Sequence, residues 1–239
     1  MSPRGRKYRE AAEKIDENKD YSPEEALALV KETSFTKFDA TVELHLRLGV
    51  DPRHADQQVR DVVLLPNGLG KEIRVLVFAQ GDGARVAREA GATEVADDDA
   101  TLKKIGDGWL DFDVAIATQE MMGEVGKLGR VLGPRGLMPN PKTGTVVAEE
   151  DLPRAIKEAQ AGRVEFRTDK TANVHVPIGK VSFDEKALYE NLAAMMDGIK
   201  KARPASSKGA YIRRMVLTST MGPSVHVDSL LAQDMALKN

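Results

Sequence analysis

The segment Gly126-Lys-Leu-Gly-Arg-Val-Leu-Gly-Pro-Arg-Gly-Leu-Met-Pro-Asn-Pro-Lys-Thr-Gly144 carries Lys127, Arg130, Arg135 and Lys142 and no carboxylate. Cations on a backbone rich in glycine and proline suit phosphate, because amides and charged side chains can both approach it. An ordered connector with incidental charge is the other reading. A second segment, Leu217-Thr-Ser-Thr-Met-Gly-Pro-Ser-Val225, ends a strand in small hydroxyl residues. Gly222 there removes a side chain that would hold another backbone away, which brings ribose hydroxyls within reach of main-chain groups and Thr220. A plain turn between two strands is the alternative. RNA is the polymer such a surface favours, since 2′-hydroxyls and shape can be read with few basic residues.

Enzyme chemistry finds little support. The glycines near Lys127 miss the phosphate-loop spacing, because Met121 stands five before Gly126 and Leu128 follows the lysine. Gly81-Asp-Gly83 follows a strand and opens a helix, but Val86 occupies the third glycine position of a dinucleotide fingerprint. Asp97-Asp98-Asp99 could hold a hard cation; three acids favoured by a helix macrodipole are the simpler account. His45, His54, His175 and His226 show no metal-ligand spacing, and His54 and His226 are expected at the surface. With no Gly-x-Ser-x-Gly elbow and no cysteine, neither a catalytic residue nor a metal or other cofactor is expected. A nucleotide-dependent enzyme using the central segment remains the competing class.

These residues sit in a chain of 239, long enough for one large domain or two small ones. At 41% hydrophobic and 30% charged it can bury a core. The basic start, Met1 to Arg9, has no apolar run behind it, and no apolar stretch is long enough for a bilayer, so the expected setting is cytoplasmic, without a membrane. The net charge of −2 hides a gradient. Residues 1–67 hold 11 Lys+Arg and 13 Asp+Glu, net −2; residues 68–161 hold 12 and 16, net −4; residues 162–239 hold 12 and 8, net +4. Phosphate attraction acts over roughly 8 Å at physiological salt, so a local basic face can bind where the average would not.

Hydrophobic periodicity supplies the supporting elements. Ser22-Pro-Glu-Glu25 is a capping box before a helix with an Ala26, Leu27, Leu29 and Val30 face. Thr41 to Leu48 alternates strictly, the pattern of a strand with one buried and one wet face. Residues 68–161 alternate strands, at Glu72–Ala79 and Asp113–Thr118, with helices at Gly81–Ala90, Asp97–Ile105, Glu120–Leu132 and Glu149–Ala161. The third of these is weakened by Gly123, Gly126 and Gly129. Half-buried strands are expected at Gly162–Arg167, Asn173–Pro177 and Tyr211–Thr220, with a helix from about Asp184 to Lys201. Each flank has a face that needs covering. One α+β domain from both termini, 1–67 plus 162–239, with an α/β domain inserted at 68–161, is the economical solution.

Four stretches, Lys37-Phe-Asp-Ala-Thr-Val-Glu43, Gly126–Gly144, Gly162-Arg-Val-Glu-Phe-Arg-Thr-Asp-Lys-Thr171 and Thr218-Ser-Thr-Met-Gly-Pro-Ser224, together resemble the bacterial large-subunit ribosomal protein one family, the protein of the mobile stalk. The similarity runs in order from about Arg6 to Val225. It implies an α+β RNA-binding domain from both termini and an inserted Rossmann-like domain. It further implies binding to large-subunit (23S) ribosomal RNA, stalk movement that accompanies deacylated exit-site tRNA, and repression through the leader of the protein's own mRNA, by a chain that is monomeric away from the ribosome. Carried over by position, the RNA-binding residues fall on Lys37, Phe38, Thr41, Asp169, Lys170, Thr171, Thr218, Thr220, Met221 and Gly222. The resemblance gives Phe38 and Met221 apolar contact with RNA, although residue type alone places Phe38 in a core. Thr41, Thr171, Thr220 and the Gly222 backbone would hydrogen-bond ribose or phosphate, Lys170 would neutralise phosphate, and Asp169 would orient its neighbours. Beyond Val225, Leu230, Leu231, Met235 and Leu237 are expected as an amphipathic turn or a mobile end.

Overall fold

A computed structural model describes residues 5–235, so the expectation for Leu237 lies outside the described residues. In chain order the elements are α1 (Arg6–Ala12), α2 (Pro23–Glu32), β1 (Thr41–Leu48), β2 (Arg60–Leu64), β3 (Val75–Phe78), α3 (Gly81–Glu89), β4 (Glu94–Ala96), α4 (Asp99–Gly106), β5 (Val114–Thr118), α5 (Met122–Lys127) and α6 (Gly129–Arg135). They continue with β6 (Val146–Val147), α7 (Leu152–Gln160), β7 (Arg163–Arg167), β8 (Asn173–Lys180), α8 (Glu185–Lys201), β9 (Ile212–Ser219), β10 (Ser224–Val227) and α9 (Ser229–Gln233). The chain divides into two compact units: one runs to Gly70 and resumes at Val164, and the other is Lys71–Arg163. The fold class is α+β for the first and α/β for the second, as the periodicity implies.

The first unit is built on a four-stranded sheet in the order β10-β9-β1-β8, antiparallel throughout. Alternation in β1 puts Val42, Leu44, Leu46 and Leu48 into a core with Val174, Val176 and Ile178 of β8 and Met215 and Leu217 of β9. Leu27 and Val30 of α2 and Leu188, Leu192, Met195 and Ile199 of α8 join the same core. Each such aliphatic side chain contributes roughly 1.5–3 kcal/mol by leaving water. Ser22 caps α2 as the sequence implies: its hydroxyl accepts from the Glu25 N–H and its own N–H donates to the Glu25 carboxylate. The two-stranded pair β2–β7 completes the unit. Helix α8 receives β2 closely, because a Cβ at Gly198 would lie 2.1 Å from Val63 Cγ2. Fully buried Asn191 donates to the carbonyls of Gly68 and Ile178 and accepts the Asn67 N–H, which ties the departing chain to the sheet.

In the second unit a parallel sheet, β4-β3-β5-β6, carries helices on both faces. Successive β3 residues point to opposite sides: Val75 and Val77 pack with α3 and α7, Leu76 and Phe78 with α4, α5 and α6. Strand β3 is shorter than Glu72–Ala79 and is buried at every position. The helix expected over Glu120–Leu132 is instead two short ones meeting at Leu128, where three glycines leave helical propagation weak. Helix α1 carried no periodic signal, and the turn expected around Leu230 and Leu231 is the short helix α9. In α9 it is Ala232 that is buried, with Met235 just beyond the helix, while Leu230 and Leu231 face solvent.

Candidate nucleic-acid interface

The ten residues singled out in the sequence form two groups at opposite ends of β1, a strand roughly 23 Å long. At the Thr41 end the β9–β10 turn closes against the start of β1. The Thr220 N–H donates to the Thr41 carbonyl at 2.9 Å, and the Thr41 N–H donates to the Thr220 hydroxyl oxygen at 3.1 Å. The Thr220 hydroxyl in turn lies 3.3 Å from the Thr41 carbonyl, so its proton is engaged within the protein. Thr218 is held likewise, its hydroxyl within 3.3 Å of the carbonyls of Ser219, Gly222 and Pro223. Thr41 differs: its hydroxyl accepts from Lys180 Nζ at 2.8 Å and keeps a proton to donate outward.

Two large apolar side chains stand beside this locked turn. Phe38 is 58% exposed and Met221 70%. Residue type alone puts Phe38 in a core; the structure does not, because Lys37, Phe38 and Asp39 all lie exposed on the surface before Ala40 enters the core. Met221 adopts φ +68°, a left-handed conformation that a long side chain rarely takes and that costs of order 1 kcal/mol or more. Gly222 is required by the turn itself: a Cβ there would lie 2.3 Å from Ser219 Oγ. Lys37 is exposed alongside.

The other end is organised by one carboxylate. Asp169 accepts the N–H groups of Thr171 at 2.7 Å and Asn173 at 2.8 Å and the Thr171 hydroxyl at 2.8 Å. Asn173 Nδ2 donates to Thr171 Oγ1 at 2.8 Å, so the threonine hydroxyl has only acceptor capacity left. The modest burial of Asp169 would raise its pKa, but the bonds from Asn173 and Thr171 outweigh it and hold the group at about 2. Lys170 projects from this turn, exposed and with no carboxylate partner among the described residues.

Between the groups lies the outer face of the sheet, opposite the helices, bearing Glu43, His45 and Arg47 of β1, His175 of β8 and Arg214 and Thr218 of β9. His45 and His175 are direct cross-strand partners with their Nδ1 atoms 2.8 Å apart. Burial lowers the pKa of His45, His175 lowers it further and Glu43 opposes both. Neither this pair nor Lys180 stood out in the sequence, because each meets its partner only through β1–β8 register, across 130 and more residues.

A Cβ at Gly83 would sit 2.8 Å from the Glu149 carboxylate, which places negative charge at the first turn of α3, where a phosphate would have to approach. Asp98 caps α4 through the Thr101 N–H, and Asp97 pairs with Arg88. Among the described residues no group of three or more His, Asp or Glu is placed to hold a metal ion, and no helix is long and apolar enough to cross a membrane. Of the basic segment 126–144, Lys127 pairs with Glu124, while Arg130, Arg135 and Lys142 are exposed.

The first unit is thus an α+β unit whose sheet turns Glu43, His45, Arg47, His175 and Arg214 outward, with Phe38 and Met221 exposed beyond one end and Lys170 beyond the other. The sequence profile of the Ribosomal protein L1p/L10e family matches residues 30–223. The chain is 58% identical over 237 residues to the large ribosomal subunit protein uL1 of Chloroflexus aggregans, covering 99% of this chain and all of that one. It is also 58% identical over 235 residues to the uL1 protein of Chloroflexus aurantiacus, covering 98% and 99% respectively. The chain belongs to the Ribosomal protein L1p/L10e family. That family is structural and not enzymatic.

Proposed function

We propose that the chain is a structural component of the large ribosomal subunit and binds large-subunit ribosomal RNA through the outer face and both end turns of its β10-β9-β1-β8 sheet. The observation that carries this reading is the placing of the two groups at opposite ends of β1, a strand roughly 23 Å long, an arrangement suited to an extended or folded polymer. Phe38 and Met221 supply apolar contact with ribose or base, the free proton of Thr41 donates to a ribose or phosphate oxygen, and Lys37, Lys170 and Lys180 meet phosphate. Asp169, Thr218, Thr220 and Gly222 position these groups, and Thr171 and the Gly222 backbone offer acceptors to a 2′-hydroxyl. Within the subunit the protein forms the mobile stalk and accompanies deacylated tRNA from the exit site. It also binds the leader of its own mRNA and represses translation, and it is monomeric in the cytoplasm when free.

Equilibrium titration of the full chain against a large-subunit rRNA stalk fragment and against the leader transcript tests this. Saturable binding to both is expected, weakened at least a hundredfold by Met221→Asp. Unchanged affinity in that variant would remove the Thr41 end from the interface.

A further inference from the structure

The outer sheet face carries arginines that neither end turn uses. Arg47 of β1 and Arg214 of β9 are direct cross-strand partners, and both are exposed. The register then slips, Leu48 pairing with Ile212, so Arg213 is an extra residue in the ladder. Bulges of this kind re-aim side chains and are common beside functional sites. Arg213 is exposed and leans across Gly49, where an added Cβ would lie 3.1 Å from its Nε. None of the three arginines forms an ion pair among the described residues. Carboxylates of the same strands and turns are engaged elsewhere: Glu43 faces His45, Asp51 accepts the Arg53 N–H, and Asp169 accepts the Thr171 and Asn173 N–H groups. Like charges placed directly opposite destabilise a sheet, and no anion of the protein relieves this pair.

We propose that Arg47 and Arg214 together grip one backbone phosphate of the bound RNA, with Arg213 adding positive potential at the same end of the sheet. The inference rests on the reading of the outer sheet face as the RNA contact, and it names groups that neutralise charge along that face. Cross-strand partners have Cα atoms about 4.5–5.5 Å apart, so two arginine side chains rising from one face can meet the same phosphate. Each guanidinium is a planar fork of donors that matches phosphate oxygens bidentately and keeps its charge at any working pH. The seat is blind to sequence, since a phosphate carries no base information; it fixes where the RNA backbone lies along β1. The pairing arises from β1–β9 register, so the two arginines look unrelated in the chain.

The test is a double-mutant cycle on the full chain, titrated against the rRNA stalk fragment at several salt concentrations. Arg47→Gln and Arg214→Gln should each weaken binding roughly tenfold, the worth of a hydrogen-bonded charged contact. The double variant should lose much less than the product of the two single losses, because a shared phosphate is lost only once. Its logarithmic salt slope should be shallower by somewhat less than one unit, the value for one phosphate and not two. Neither single variant should lower the thermal midpoint, since each removes a like-charge opposition. Met221→Asp, measured alongside, reports on the RNA reading itself. Binding that falls with Met221→Asp but with neither Arg47→Gln nor Arg214→Gln overturns the phosphate seat alone. Fully multiplicative losses with a slope change near two units also overturn it, because the arginines then serve separate phosphates. A wild-type chain that fails to bind the fragment overturns the seat and the RNA reading together.

Discussion

The two ends of β1 reach the same result, a rigid tip presented to solvent, by different physics. At the Thr41 end uncharged groups do the work: the Thr220 N–H donates to the Thr41 carbonyl, the Thr41 N–H donates to the Thr220 hydroxyl oxygen, and Met221 stands in a left-handed conformation in the glycine-dependent turn that follows. At the Asp169 end a single ionised side chain gathers two N–H groups and a hydroxyl. The first tip is insensitive to charge state and offers apolar surface; the second depends on one carboxylate and offers a cation. On the proposed reading, such an interface would take apolar contact from one end and phosphate neutralisation from the other, with the net +4 of residues 162–239 set against −2 for the whole chain.

Breaking the apolar end should have the largest effect. The loss of at least a hundredfold in rRNA affinity with Met221→Asp should leave the thermal midpoint within a degree or two, because the side chain is exposed and Asp tolerates positive φ. Phe38→Ala should weaken binding by roughly ten- to a hundredfold, again with stability unchanged, the cost of one stacked or packed aromatic being about 1–3 kcal/mol. A stability loss in Phe38→Ala, read by thermal denaturation, would mean that the ring serves the core.

The Asp169 end should be distinguished by its pH dependence. Its folded pKa of about 2 lies below the usual value near 3.9, so its contribution to stability is complete above about pH 4 and is lost as the pH falls toward 2. Thermal midpoints of the wild type and Asp169→Asn should therefore differ at pH 6 and converge by pH 2; a constant difference would show that the carboxylate charge is not what holds the turn. The smallest expected effect is that of Lys170→Ala. Removing one phosphate contact should shallow the logarithmic salt dependence of RNA binding by somewhat less than one unit.

Much of this was legible in the chain. The alternation of Thr41–Leu48, the Ser22 capping box and the apolar face of α8 each report local geometry, and local geometry is what periodicity encodes. Residues 120–132 misled because apolar spacing argues for one helix while three glycines decide its continuity. Residue type alone would have put Phe38 in a core, since hydrophobic residues are assigned there by type; only the family resemblance placed it at the surface, where the structure has it. The motif residues appeared as a single site, since sequence order does not show that the Asp169 turn and the β9–β10 turn close opposite ends of one sheet. Lys180 and the histidine pair were beyond reach altogether, because their partners come from strand register.

The most direct test sets the sheet face against the inserted unit within one intact protein. Affinity for the rRNA stalk fragment would be measured for full chains carrying Phe38→Ala with Met221→Asp, and for full chains carrying Arg130→Ala with Arg135→Ala. Near-complete loss in the first pair and a change of no more than a few fold in the second is the predicted result. Retained affinity in the first, with loss in the second, would contradict the assignment of the RNA site to the β10-β9-β1-β8 sheet.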